Sequence, residues 1–85
     1  MHENIEIFLN RCRACAAFQE NMEKMVELFC EKNVSEMFTN CTSLEISSHD
    51  YLPSRICFQC YENLTNLNKF RQGCLNSDRF LREQV

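Results

Sequence analysis

The sequence predicts a small α+β zinc-binding domain with a short helix, short strands and a long C-terminal helix. Three observations carry that prediction. Two Cys-x-x-Cys pairs, Cys12-Arg13-Ala14-Cys15 and Cys57-Phe58-Gln59-Cys60, are separated by a 41-residue spacer. From about Phe58 the chain keeps a helical pattern nearly to its end. At 85 residues, moreover, folding buries only about 60 to 65% of the surface of the unfolded chain, so a core alone is marginal and a staple is expected.

The cysteine pairs supply that staple. Two intervening residues let the chain turn so that both sulfurs of a pair reach one tetrahedral ion at about 2.3 Å, and two such knuckles close the coordination shell. Cys12, Cys15, Cys57 and Cys60 are therefore the expected ligands of one structural Zn2+ per chain. A closed shell of thiolates leaves no open position for water, which argues against a catalytic metal. One knuckle placed early and another at a helix N-terminus resembles a treble clef, and the helix dipole there favours thiolate. Arg13, adjacent to Cys12, and Arg55, two residues before Cys57, are expected to offset the negative charge of the site.

Other uses of the cysteines fit less well. A redox dithiol wants a strand before the pair and a helix after it in a thioredoxin-like setting, and residues 1–11 offer none. A two-zinc cross-brace needs eight ligands, whereas Cys30, Cys41 and Cys74 are isolated. Cys41 and Cys74 fall on apolar helical faces and read as small hydrophobes; the role of Cys30 stays open. His2 and His49 belong to no ligand-like pair and read as surface or loop residues.

The compartment follows from the same residues. The first eleven, MHENIEIFLNR, lack the basic start and continuous apolar run of a signal peptide, and no stretch approaches the roughly 18 apolar residues of a membrane span. Three glycosylation sequons, at Asn33, Asn40 and Asn63, point the other way, but an odd count of seven cysteines suits a reduced protein. Four thiolates and one Zn2+ take the formal net charge from −3 to −5, and the nine Lys and Arg form no stripe, a poor match for a phosphate backbone. No Ser/His/Asp set, phosphate loop or catalytic carboxylate pair is present, so neither an enzyme nor a small-molecule substrate is expected.

Within the spacer, residues 18–31 fit two templates. Phe18, Met22, Met25, Val26 and Phe29 recur at helical spacing, while Val26 to Cys30 is short enough for a strand. Val34, Met37, Phe38 and Cys41 share one helical face, with Ser35 an imperfect N-cap and Thr42-Ser43 the stop. Leu44-Glu45-Ile46 alternates like a brief strand, and His49 to Pro53 reads as a loop. In the long helix Leu64, Leu67, Phe70, Cys74 and Leu81 follow three-and-four spacing on one side, while Tyr61, Leu75 and Phe80 fall partly off it. Gly73 costs this helix about 1 kcal/mol relative to alanine.

The string Cys12-Arg13-Ala14-Cys15, then Leu52-Pro53-Ser54-Arg55-Ile56-Cys57-Phe58-Gln59-Cys60, then Phe70-Arg71-Gln72-Gly73-Cys74 resembles the zinc-finger-associated domain of insect transcription factors. The resemblance covers residues 11–82, leaving 1–10 as a leader with an apolar patch at Ile5 to Leu9 and 83–85 as a tail. It implies that the four paired cysteines bind zinc, that Val26 to Phe29 is a strand, and that a short helix runs from about Val34 to Cys41. It further implies a nuclear protein that homodimerises through the long helix and meets DNA only through other domains. Leu67, Phe70, Leu75 and Phe80 are the expected interface residues, because a monomer this small has difficulty covering both sets of apolar residues. The alternatives are a direct DNA-binding treble clef, for which acidic charge is the discriminator, and a thiol redox protein.

Overall fold

The computed structural model describes residues 10–30 and 32–85, so the apolar patch at Ile5 to Leu9, and His2, lie outside the described residues. The described residues open on a tight knuckle over residues 12–17, closed by hydrogen bonds from the Cys12 amide to Ala17 O (3.0 Å) and from the Ala16 amide to Cys12 O (2.8 Å). Ala16 sits at φ 64° to complete this turn, a left-handed conformation that costs an L-residue about 1–2 kcal/mol. An antiparallel bridge between Arg11 and Phe18 closes the base of the loop.

A 3-10 turn, Met22–Lys24, is capped by Asn21, whose Oδ1 accepts from the Glu23 amide at 2.9 Å. It leads into strand β1, Met25–Glu27. The two-template segment thus resolves into a 3-10 turn followed by a strand that ends before Leu28, two residues short of the expected boundary at Phe29. Helix α1, Lys32–Thr42, follows, beginning before the expected Val34, so Ser35 lies inside the helix rather than at its cap. Its end matches the expected stop. Ser43 takes φ 62°, its amide donates to Thr39 O, and the Thr42 hydroxyl donates to Phe38 O at 2.7 Å.

The brief strand expected at Leu44 to Ile46 is absent: these residues are irregular, and Leu44 is 47% exposed. Three alternating residues with no paired partner cannot hold a ladder. The true partner of β1 is β2, Arg55–Cys57, antiparallel with Met25 opposite Cys57, Val26 opposite Ile56 and Glu27 opposite Arg55. Helix α2, Phe58–Glu83, starts at once after β2.

The core gathers one or two residues from each element. Met25 of β1, Leu28 after it, Val34 and Phe38 of α1, Ile56 and Cys57 of β2 and Leu64 of α2 are buried together with Cys12. Leu28 and Ile56 are wholly enclosed. Alone of α2's residues, Leu64 is buried, which leaves most of this 26-residue helix projecting from the zinc-side body. The molecule accordingly measures 58 Å along its longest axis and 22 Å and 19 Å across it.

Candidate metal centre

The fold brings the two knuckles together by pairing backbone rather than side chains. The Arg13 amide donates to Arg55 O at 2.8 Å, which docks the first knuckle against β2. The Leu28 amide donates to Ser54 O at 2.9 Å and fixes the chain just before β2. Cys57 is then both the last residue of β2 and the residue preceding the first turn of α2, and Cys60 lies within that turn.

The four sulfurs of Cys12, Cys15, Cys57 and Cys60 all lie within 4.8 Å of one another. Tetrahedral ligation at a Zn–S distance of about 2.3 Å requires sulfurs about 3.8 Å apart, so small side-chain adjustments suffice. The cluster contains only soft thiol donors, which suit zinc over hard cations. One structural zinc ion per chain fits this arrangement. Cys12 and Cys57 are buried, Cys60 half-buried and Cys15 exposed, so the site is open to solvent chiefly at Cys15.

Three amides converge on Cys12 Sγ: Ala14 at 3.3 Å, Cys15 at 3.4 Å and Cys57 at 3.3 Å. Burial works to raise the pKa of Cys12, but the hydrogen bonds from Cys57, Cys15 and Ala14 outweigh it and lower the pKa to about 7. Cys60 moves the other way, because burial and the neighbouring Cys57, Cys12 and Cys15 sulfurs all disfavour its thiolate. For Cys15 the Ala17 amide favours the thiolate, yet burial and the adjacent Cys12 sulfur prevail and raise its pKa. Without metal, the cluster therefore favours charge on Cys12 and resists it on Cys15 and Cys60. A divalent ion is what allows several thiolates to share so small a volume.

Arg13 and Arg55 do not aim their charge at the sulfurs as expected from their sequence positions. Arg55 Nε donates to Glu27 Oε2 at 2.7 Å across the two-stranded ladder, and Arg13 approaches Asp50 Oδ2 at 3.8 Å. Backbone amides meet the thiolate charge instead. Asp50 is a residue that spacing of cysteines did not bring out. Burial pushes its pKa up, but the amides of Leu52 and Ser47 and the Arg13 guanidinium hold it below the usual carboxylate range. It thereby organises the Ser47 to Leu52 loop beside the first knuckle. The legible signal was Ser47-x-x-Asp50, two turn-forming residues that bond local amides.

His49 lies exposed in that loop, away from the sulfur cluster. Cys41 is half-buried and packs against the core as a small hydrophobe, whereas Cys74 is exposed, contrary to its expected packing: α2 has left the body by that point. The other named positions, Leu67, Phe70, Leu75 and Phe80, are 49%, 71%, 48% and 60% exposed. No helix among the described residues is long and apolar enough to cross a membrane.

No curated protein matches the chain. Residues 11–84 match the zinc-finger associated domain (zf-AD) family, a span that includes both knuckles, the two-stranded ladder and all of α2. The matched span and the four gathered sulfurs agree, and the chain belongs to the zinc-finger-associated domain family.

Proposed function

We propose that this zinc-dependent domain is a homodimerisation module of a nuclear DNA-binding protein, a transcription factor or chromatin architectural protein, that contacts DNA through other domains. The observation that carries the reading is the projection of α2. Past Leu64 it leaves Leu67, Phe70, Leu75, Phe80 and Leu81 exposed to solvent, and an accumulation of exposed apolar side chains on one projecting helix marks a partner surface. Closed two-fold pairing is the commonest way to cover such a surface. The zinc site supports the same reading by fixing the start of α2 against the body, so that the rest of the helix is presented rigidly. Membership of a zinc-finger-associated family supports an interaction role over a catalytic one. The acidic charge weighs against direct DNA binding.

The test is mass in solution. Sedimentation equilibrium of the zinc-loaded domain is expected to give twice the chain mass at high concentration, and the double change Leu75→Glu with Phe80→Glu is expected to weaken association with zinc retained. A wild-type domain that stays monomeric from micromolar to millimolar concentration overturns the reading. Sequence-selective binding to duplex DNA at physiological salt would favour the DNA-binding alternative instead.

A further inference from the structure

The four sulfurs gathered at the two knuckles are not equivalent. Cys12 and Cys57 are 1% and 9% exposed and Cys60 is half-buried, whereas Cys15 is open to solvent. The amides of Ala14, Cys15 and Cys57 reach Cys12 Sγ at 3.3 to 3.4 Å and stabilise charge there, which makes that sulfur a poorer nucleophile. Cys15 has the amide of Ala17 in place of these three. The chain also shields Cys15 little, because its neighbours Ala14, Ala16 and Ala17 are all exposed and carry only methyl side chains. A sulfur that ligates zinc is held as thiolate at neutral pH, and thiolate is the nucleophilic form of cysteine.

We propose that Cys15 is an oxidative modification site: it reacts with hydrogen peroxide or an organic hydroperoxide and then closes a disulfide with Cys12, which opens the metal centre. In the first step, written for hydrogen peroxide, the Cys15 thiolate attacks one peroxide oxygen and the O–O bond breaks. Cys15 becomes a sulfenic acid, its sulfur oxidised by two electrons, and hydroxide leaves. In the second step the Cys12 thiolate attacks the Cys15 sulfur, the S–S bond forms as the S–O bond breaks, and a second hydroxide leaves. With two protons from solvent, one peroxide is reduced to two waters and two thiolates are oxidised to one disulfide.

Cys12 is the partner because the first knuckle is one closed unit. The Cys15 amide already touches Cys12 Sγ at 3.4 Å, and the bonds between Cys12 and residues Ala16 and Ala17 keep the two cysteines in one turn. Cys57 and Cys60 belong instead to β2 and α2. The disulfide removes two of four ligands, too few remaining for a closed thiolate shell. It also takes away the charged sulfur that accepts from the Cys57 amide, the one bond here between the first knuckle and the start of α2. Oxidation at the exposed edge is thereby carried to the helix anchor, so metal release and loosening of α2 go together. The reaction requires the zinc site and is independent of whether the chain dimerises.

The deciding experiment treats the zinc-loaded domain with hydrogen peroxide, reads released zinc with a chromogenic chelator, and maps every cysteine over time by differential alkylation and mass spectrometry. Cys15 is expected to be the first ligand trapped as a sulfenic acid, and the Cys12 to Cys15 disulfide is expected to grow in step with zinc release. A thiol reductant with added zinc is expected to restore the original circular dichroism. Cys15→His keeps a ligand atom in a three-cysteine, one-histidine set and removes the nucleophile, so that variant is expected to hold zinc and to release it roughly tenfold more slowly under the same peroxide. If the variant fails to fold, the wild-type cysteine map decides alone. First oxidation at Cys57 or Cys60, a first disulfide between any other pair of ligands, or oxidation confined to Cys30 and Cys74 with zinc retained overturns the proposal. A reduced wild-type domain that holds no zinc overturns the metal centre itself, and this reaction with it.

Discussion

The amide of Cys57 donates to the Sγ of Cys12 at 3.3 Å, joining two residues 45 positions apart at the centre of the sulfur cluster. The bond belongs to the metal centre and to the fold at once, since the Cys57 amide is also one of the free donors at the start of α2. Losing the ion leaves four sulfurs crowded against these donors with their mutual repulsion or their protons to accommodate. Zinc removal by a strong chelator is therefore expected to unfold the body. Structural zinc contributes about 10–16 kcal/mol in small metal-dependent domains, against about 5–15 kcal/mol of net stability for a typical domain. Cys57→Ser is expected to act the same way. A metal-free protein with unchanged melting temperature and circular dichroism contradicts the assignment.

Acidification is expected to release the ion. Zinc binds thiolates, so protons compete and affinity falls as pH falls. Cys12, lowered to about 7 from an ordinary value of 9.0, keeps its charged form longest, and its stabilising contribution is lost as pH falls through about 7. Cys15 and Cys60, both raised, hold their protons at neutrality in the metal-free cluster and must give them up when zinc enters. Calorimetric titration with zinc in buffers of different ionisation enthalpy is expected to show proton release near pH 7. Metal uptake without any proton release would contradict this ordering of the thiols.

Ala16→Gly is expected to stabilise the zinc-loaded protein by roughly 0.5–1 kcal/mol. Ala16 occupies φ 64° with an exposed side chain, so glycine relieves the backbone without opening a cavity. The gain is partly offset by the greater freedom of glycine in the unfolded chain. Thermal unfolding at saturating zinc measures it, and an unchanged or lower melting temperature would refute it.

Leu28→Ala is expected to cost about 2–5 kcal/mol, since the side chain is completely enclosed among core residues and its removal leaves a cavity. Phe70→Ala, by contrast, removes a side chain that is 71% exposed and is expected to change the stability of the chain at low concentration by about 0.5 kcal/mol or less. Parallel denaturant titrations of the two variants at low protein concentration separate the two effects.

The metal centre was legible because ligand spacing is local: two residues between cysteines constrain a knuckle whatever lies elsewhere. The long helix was legible for the same reason, its periodicity persisting from Phe58 to Glu83. The strands were harder, since three residues carry too little alternation to distinguish a true ladder from chance. Arg55-Ile56-Cys57 pairs only because Met25-Val26-Glu27 is brought beside it, whereas the more regular-looking Leu44-Glu45-Ile46 finds no partner. Arg13 and Arg55 were misjudged by the same limit. Nearness in sequence to a cysteine places a backbone near the metal, but Glu27 and Asp50, which claim the two guanidinium groups, come from distant segments.

The segment between Ser43 and Leu52 is mostly exposed and held mainly by its own turn bonds around Asp50. Chain length is therefore tolerant there in a way that it is not at either knuckle. Doubling a flexible loop adds only about 0.6 kcal/mol of closure entropy, less than the loss of a single core methylene. A spacer of this kind can lengthen or shorten over evolutionary time while both ends of the zinc site keep their place. For the experimenter it is the natural position to insert a fluorescent or affinity label, at the tip near Ser48 and His49, with the sulfur cluster and α2 left untouched.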